Sequence, residues 1–356
     1  MISSSTLRLA VADLPPAYFA LVMATGIVSL AADLLGFGPI GVGLFWLNLV
    51  FYGVLWMLTL ARMLWFPGRL VEDLGDLRRG TGYLTAVAGT CILGSQCVIL
   101  KGAYGAGLVL FFFGLALWVL LMYAVCTAFI IRVDKPSLRE GINGTWLLAT
   151  VSTQSVSVLA GRLMHQFTQQ ETLVAFLALS MFFIGCVLYL IIITLIFYRF
   201  MFFDLPPGEW GAPYWINMGA VAITTLAGAV LTENAHGSHL LEPLLPFLAG
   251  LTLLFWSIAT WWIPLLIVLT VWRRVIGRVR FSYSPEYWGM VFPLGMYTTC
   301  TFVLARALNL DFLLEIPRWF VYLAFLAWAL TFAGLAKSMW RAFATSSYVT
   351  DSHPQK

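Results

Sequence analysis

The chain predicts an all-α polytopic membrane protein of ten transmembrane helices, arranged as five parallel-repeated helical hairpins. Three observations carry that prediction: the composition, the spacing of the apolar runs, and a motif that recurs at the head of every second run. Of 356 residues, 61% are hydrophobic and only 10% are charged. That is more apolar surface than globular cores of this size can hide from water. Pro and Gly clusters and charged loops divide the chain into apolar runs at 16–35, 42–62, 83–100, 105–131, 144–161, 172–199, 213–231, 243–272, 287–307 and 317–337. Most have the length of about 20 residues that a 30 Å hydrocarbon layer requires. The predicted organisation is an N-terminal tail over 1–15, a ten-helix domain over 16–341 and a C-terminal tail over 342–356. The first fifteen residues are too polar for a cleaved signal peptide, so the first span is expected to act as its own insertion signal.

The odd-numbered runs open alike. They read PPAYFALVMATGIVSL, GTGYLTAVAGTCILGS, NGTWLLATVSTQSVSVLAG, GAPYWINMGAVAITTLAG and SPEYWGMVFPLGMYTTC. Each begins with turn-forming residues, continues with an aromatic suited to the membrane interface, and reaches a cluster of Gly, Ser and Thr further on. The even runs are longer and dominated by Leu, Phe, Trp and Ile, as lipid contact requires. A two-helix repeat returns the chain to its starting side, so the repeats are parallel. Five odd helices then form an inner ring around a central pore, with the even helices outside.

Orientation follows from basic residues. Sixteen of the twenty Lys and Arg lie in the tails and even-numbered loops, including Arg62, Arg69, Arg78, Arg79, Arg132, Lys135, Arg139, Arg273, Arg274, Arg278 and Arg280. Retention of positive charge on the cytoplasmic side places both termini there, in a cell membrane. Cys91, Cys97, Cys126, Cys186 and Cys300 all fall in apolar runs with no zinc or redox spacing, and are expected to be small core residues. Asn143-Gly144-Thr145 fits a glycosylation pattern, but on the cytoplasmic side it is a chance match.

A ring of small residues leaves space on its axis. Thr25, Gly26, Thr90, Ser152, Thr153, Gly219, Thr224 and Thr299 are the candidate pore-lining residues, with Thr225 and Thr298 as further hydroxyls. No carboxylate, Lys or Arg lies in the middle of an odd run. Acidic rings would suit cations and buried carboxylates a proton pump. A neutral passage with basic ends suits weakly selective anion passage. In YWGMVFPLG, Pro293 removes a helix hydrogen bond and kinks the helix, with Gly289 and Gly295 giving room for the bend. Phe292, beside the kink, has two readings from the residues alone: an apolar plug on the axis, or a side chain packed between helices.

The chain resembles the tellurite-resistance/C4-dicarboxylate transporter family, which includes fungal malate permeases and the slow-type anion channels of plant guard cells. The residues that carry the resemblance are PPAYFALVMATGIVSL, TWLLATVSTQSVSVLAG over 145–161 and YWGMVFP over 287–293. The resemblance implies five hairpins around a pore, a homotrimer with one pore per subunit, and a phenylalanine that occludes the pore, here Phe292. It also matches Gly26 to a glycine near the pore, and implies chloride, nitrate, malate-like dicarboxylates or oxyanions such as tellurite as cargo. The long phosphorylatable tails of the plant channels are absent, so kinase gating does not carry over.

The nearest rival is a proton-coupled carrier of C4-dicarboxylates, which needs an alternately exposed titratable group that the odd runs do not offer. A membrane-embedded enzyme or haem protein is disfavoured. His165, His236, His239 and His353 all lie in loops or the tail, and no nucleophile–base pair is visible. No cofactor, catalytic residue, metal site or nucleic-acid partner is expected; the partners are small anions, the bilayer and sister subunits.

Overall fold

The computed structural model describes Arg8, residues 11–279 and residues 283–350, with side chains as far as residue 341. Arg280 and His353 lie outside the described residues. Ten long helices are labelled α1 (Ala20–Leu34), α2 (Gly38–Trp65), α3 (Leu84–Lys101), α4 (Tyr104–Ile131), α5 (Leu148–Leu163), α6 (Glu171–Phe202), α7 (Ile216–Glu233), α8 (Leu245–Val275), α9 (Trp288–Ala307) and α10 (Glu315–Thr350). Two short helices, Pro67–Gly75 and Leu138–Gly141, lie in the loops after α2 and α4. All ten predicted runs fall on these helices. Among the described residues, nine are long and apolar enough to cross a membrane. The one that falls short is α5, whose sequence LATVSTQSVSVLAGRL carries five Ser and Thr residues and a Gln. It is nevertheless buried along almost its whole length, so protein rather than lipid surrounds those hydroxyls. The chain is a polytopic membrane protein.

The repeated motif has a structural form. Every odd helix is led by a 3-10 turn: Pro16–Phe19, Gly80–Tyr83, Gly144–Leu147, Ala212–Trp215 and Pro285–Tyr287. Pro15, Asn143, Gly211 and Ser284 precede four of these turns in extended backbone. The Asn143 side chain accepts from the Thr145 amide at 2.8 Å, so this asparagine serves as a helix cap. The turns pack in a closed circuit, the first against the second and so on, with the fifth against the first. Five helix N-termini therefore gather at one end of the molecule, which is the meaning of a parallel repeat.

Packing repeats as well. The odd helices form a closed ring, α1–α3–α5–α7–α9 and back to α1. Each even helix packs on its own odd partner and on the next odd helix, α2 on α1 and α3, and so round to α10 on α9 and α1. The inner helices are buried, whereas the outer ones expose Trp46, Phe112, Leu190, Trp261 and Leu330, among others, to the surroundings. Cys91, Cys97, Cys186 and Cys300 are buried as expected, but Cys126 is exposed on α4. Its run is apolar because it faces outward, so small size and burial do not go together there.

Two clamps tie outer helices to inner ones. In the first, an outer aromatic bonds a threonine on the next inner helix: Tyr52 with Thr90 at 2.9 Å, Trp118 to Thr153 at 2.9 Å, Trp256 to Thr301 at 3.0 Å and Trp328 to Thr25 at 3.0 Å. In the second, an arginine near the end of an outer helix bonds the tyrosine of the following 3-10 turn: Arg62 to Tyr83, Arg199 to Tyr214 and Arg274 to Tyr287. Arg62 also meets Asp73 of the short helix Pro67–Gly75 at 2.6 Å, with side chains only 4% and 8% exposed. Truncating one member of a buried pair strands the other charge, at a cost of about 3–5 kcal/mol, whereas an apolar replacement of both is far milder. Asp73 is also met by Arg79 at 3.1 Å, so it is loss of the carboxylate that strands a buried charge, and Asp73→Ala is expected to lower the melting temperature of the detergent-purified protein sharply. The double variant Arg62→Met/Asp73→Leu should recover most of the loss.

Candidate functional site: the axis of the inner ring

Two cavities lie inside the ring. One, of about 300 Å³, is at the end where the helix N-termini gather; the other, of about 100 Å³, lies further along. Their linings reveal the helical phase. On α1 the residues are Ala20 and Met23 for the first cavity and Ile27, Leu30 and Leu34 for the second, a 3-4-3-4 step. On α9 they are Gly289 and Phe292, then Met296, Thr299 and Val303, with the same step. The other three inner helices keep it too: Thr85, Ile92 and Ser95 on α3; Leu148, Ser155 and Val158 on α5; and Ile216, Ile223 and Leu226 on α7. A step averaging 3.5 residues keeps one face of each helix towards a common axis.

The axis is thus built in five-membered layers. Ala20, Thr85, Leu148, Ile216 and Gly289 line the first cavity, and Ile27, Ile92, Ser155, Ile223 and Met296 open the second. Between them, three residues after the first layer, the same step places Met23, Ala88, Val151, Gly219 and Phe292. All five are buried, with Phe292 only 1% exposed. Two of the four partners of Phe292 in this layer, Ala88 and Gly219, are small. A Cβ on Gly219 would stand 3.4 Å from Phe292 Cδ1 and 2.8 Å from Pro293 Cγ, so the missing side chain of Gly219 makes the space that the ring and its proline occupy. Pro293 lies inside α9, which continues as helix to Ala307. Gly295 lets α9 approach α1 closely, since a Cβ there would meet Ile27 Cγ2 at 2.9 Å. Gly289 lines the first cavity, and the nearest atom to a Cβ there would be 3.7 Å away.

The remaining candidates fall in other places. Thr25 and Thr153 accept from the indole N–H groups of Trp328 and Trp118, and Thr90 pairs with the hydroxyl of Tyr52. All three sit five residues beyond the first layer, on the far side of their helices from the axis. Gly26 lies where a Cβ would meet Ile92 Cγ2 at 2.6 Å and Asn48 Nδ2 at 3.0 Å, so it closes the α1–α2–α3 junction. Ser152 and Thr224 donate to the carbonyls of Ala149 and Ala220 on their own helices. Thr225 and Thr298 do likewise to Val221 and Leu294. Only Gly219 and Thr299 of the eight lie on the axial step. Thr85, Ser95 and Ser155, which composition did not single out, supply hydroxyls there. The signal that finds them is the 3-4 step counted from each 3-10 turn.

Charge is confined to the two ends. Arg78, Arg79 and Glu286 line the first cavity at its mouth. Beside it lies a third cavity, of about 350 Å³, which adds Arg199, Arg273 and Glu209. Arginines outnumber carboxylates there. Arg79 is held by Asp73 at 3.1 Å and Arg199 by Glu209 at 2.6 Å. Five helix N-termini point their partial positive charge at the same mouth. At the far end Arg162 lines the second cavity and meets Glu233 of α7 at 2.9 Å.

A closed ring of parallel hairpins around an axis with cavities along it and arginines at one mouth fits the class of membrane channels and transporters. Residues 13–336 match the model of the voltage-dependent anion channel family, and the chain belongs to that family. It is a family of channels and transporters, not of enzymes. Similar proteins include an uncharacterized membrane protein of Mycobacterium tuberculosis, 34% identical over 148 residues that make up 42% of this chain and 75% of the relative. An uncharacterized transporter of Methanocaldococcus jannaschii is 21% identical over 88% of this chain and 91% of its own length. A sulfite efflux pump of Trichophyton rubrum is 23% identical over 91% of this chain and 90% of its own length.

Proposed function

We propose that this protein passes small anions through the axis of the inner ring, with Phe292 as the gate and both termini on the cytoplasmic side of the cell membrane. The observation that carries the reading is the buried ring of Phe292 on the wall of the first cavity, one helical turn before Met296 of the second, with both cavities lined by the same five helices. A buried apolar constriction stops an ion because it offers nothing in place of the hydration shell. The arginine-rich mouth concentrates anions, and the uncharged layers beyond it bind none tightly, which favours flux over storage. A relative named as a sulfite efflux pump supports adding sulfite to chloride, nitrate and malate as cargoes to test. The assembly is a homotrimer with one passage per subunit, as the resemblance implies.

The second reading is proton-coupled transport of C4-dicarboxylates. The layers from Ala20 to Thr299 contain no titratable carboxylate, histidine or lysine that could carry the proton. The experiment that separates the readings is flux into proteoliposomes with chloride, nitrate, sulfite and malate compared. Passive anion passage predicts flux that follows the anion gradient and survives a protonophore. Malate uptake that stops when the proton gradient collapses would replace this reading with the coupled carrier.

A further inference from the structure

The second cavity has a feature that passive passage alone does not use. Its wall is mostly Ile, Leu and Val, but three hydroxyls from three different helices, Ser95, Ser155 and Thr299, share it with the guanidinium of Arg162. Among the described residues, Arg162 is the only charged one that lines this cavity. It does not stand free: Nη1 meets Glu233 Oε2 at 2.9 Å, and the two side chains are 23% and 29% exposed. The neighbouring Asn234 ties the same two helices, donating to the Gly161 carbonyl at 3.2 Å and meeting His165 at 2.9 Å. The backbone that carries the Arg162–Glu233 pair is therefore stapled independently of the pair itself.

We infer that Ser95, Ser155, Thr299 and Arg162 form a selectivity site for one small inorganic anion, and that Glu233 is the built-in competitor that occupies Arg162 when the site is empty. This rests on the axial passage proposed above and names what the passage accepts. In the structure each hydroxyl donates to a carbonyl one turn back on its own helix, Ser95 to Cys91 at 3.0 Å, Ser155 to Val151 at 2.7 Å and Thr299 to Gly295 at 3.0 Å. Rotation of these O–H groups towards an anion that has cleared Phe292, together with the guanidinium, replaces part of its lost water, while the carboxylate of Glu233 keeps the guanidinium from holding that anion too long. Charge sets the class. One guanidinium among three hydroxyls matches a single compact charge, as in a halide, nitrate or sulfite, whereas a C4-dicarboxylate would bring a second carboxylate with no cationic partner on this wall. The step is binding and release only, with no bond made or broken.

The two members of the ion pair give opposite expectations, which a merely structural salt bridge would not. In Phe292→Ala channels in planar bilayers, Arg162→Gln should raise the chloride or nitrate concentration for half-maximal conductance about tenfold, a change of about 1.4 kcal/mol. Glu233→Gln, which frees the same guanidinium, should lower it. Equal effects in the same direction, or no change in either variant, would overturn the site. If Phe292→Ala does not conduct at all, the axial passage fails, and the site is read instead by stabilisation of the purified protein against heat by sodium sulfite or sodium chloride, compared with sodium gluconate. Loss of that stabilisation in Arg162→Gln and its strengthening in Glu233→Gln would support the site without the passage. Stabilisation that is absent, or indifferent to both changes, would remove it.

Discussion

Phe292→Ala is expected to raise anion conductance at least about tenfold over the native chain, which corresponds to about 1.4 kcal/mol taken off the barrier to permeation. The native ring is buried in a layer whose other members are Met23, Ala88, Val151 and Gly219. Two of those are too small to close the axis by themselves, and Gly219 contributes no side chain at all. Removing the ring therefore joins the 300 Å³ and 100 Å³ cavities instead of letting the layer collapse onto a new contact. The cavity term for truncating a buried Phe, about 3–5 kcal/mol in a well-packed core, should be smaller here because one side of the ring borders space that is already open. Expression and melting temperature should accordingly change little while conductance rises. Gly219→Val gives a complementary result. Its first side-chain carbon would stand 2.8 Å from Pro293 Cγ, so the proline and the attached ring must shift, and the conductance of the native gate should change without any substitution at Phe292 itself.

Gly144→Ala is expected to prevent folding. A Cβ at this position would lie 2.1 Å from the carbonyl oxygen of Pro213 and 2.5 Å from its carbon. These are backbone atoms of the neighbouring 3-10 turn, so no rotamer change relieves the clash. The circuit of five turns fixes the spacing of the inner helices, and moving the third turn from the fourth opens the ring between α5 and α7. Small-to-large changes in packed sites cost typically 1–3 kcal/mol where side chains can yield, and a backbone clash this short exceeds that range. The measurement is the yield of monodisperse protein in detergent, expected to fall to near zero. Gly289→Ala is the control, since its added methyl meets nothing closer than 3.7 Å.

Much of this architecture was legible in the sequence because it is written in composition and recurrence. Apolar run length gave ten helices, and the repeated turn-plus-aromatic opening gave the parallel hairpins that the 3-10 turns Pro16–Phe19 to Pro285–Tyr287 now embody. Helical phase was harder. Thr25, Thr90 and Thr153 look like pore hydroxyls because they are polar residues in membrane helices. A buried hydroxyl is equally well satisfied by an indole or phenol from a neighbouring helix, and that is where all three go. Composition cannot distinguish the two faces of a helix that is surrounded by protein on every side. The polarity of α5 illustrates the same point: its hydroxyls are shielded by neighbouring helices, so the segment falls outside the hydropathy range of a span while standing in the ring with the other four. The clamp of Arg62 with Asp73 and Tyr83 was not legible either, because it joins residues that the sequence separates by a loop and a short helix.

The central claim is that the axis guarded by Phe292 is an anion passage, and the reversal potential of Phe292→Ala channels tests it most directly. With a tenfold gradient of chloride across a planar bilayer and potassium as the counter-ion, an anion-selective axis predicts reversal near the chloride equilibrium potential, about 59 mV in magnitude at 25 °C. Reversal at the potassium potential, or at zero, would contradict the account: the arginine-lined mouth would then not govern what enters the ring.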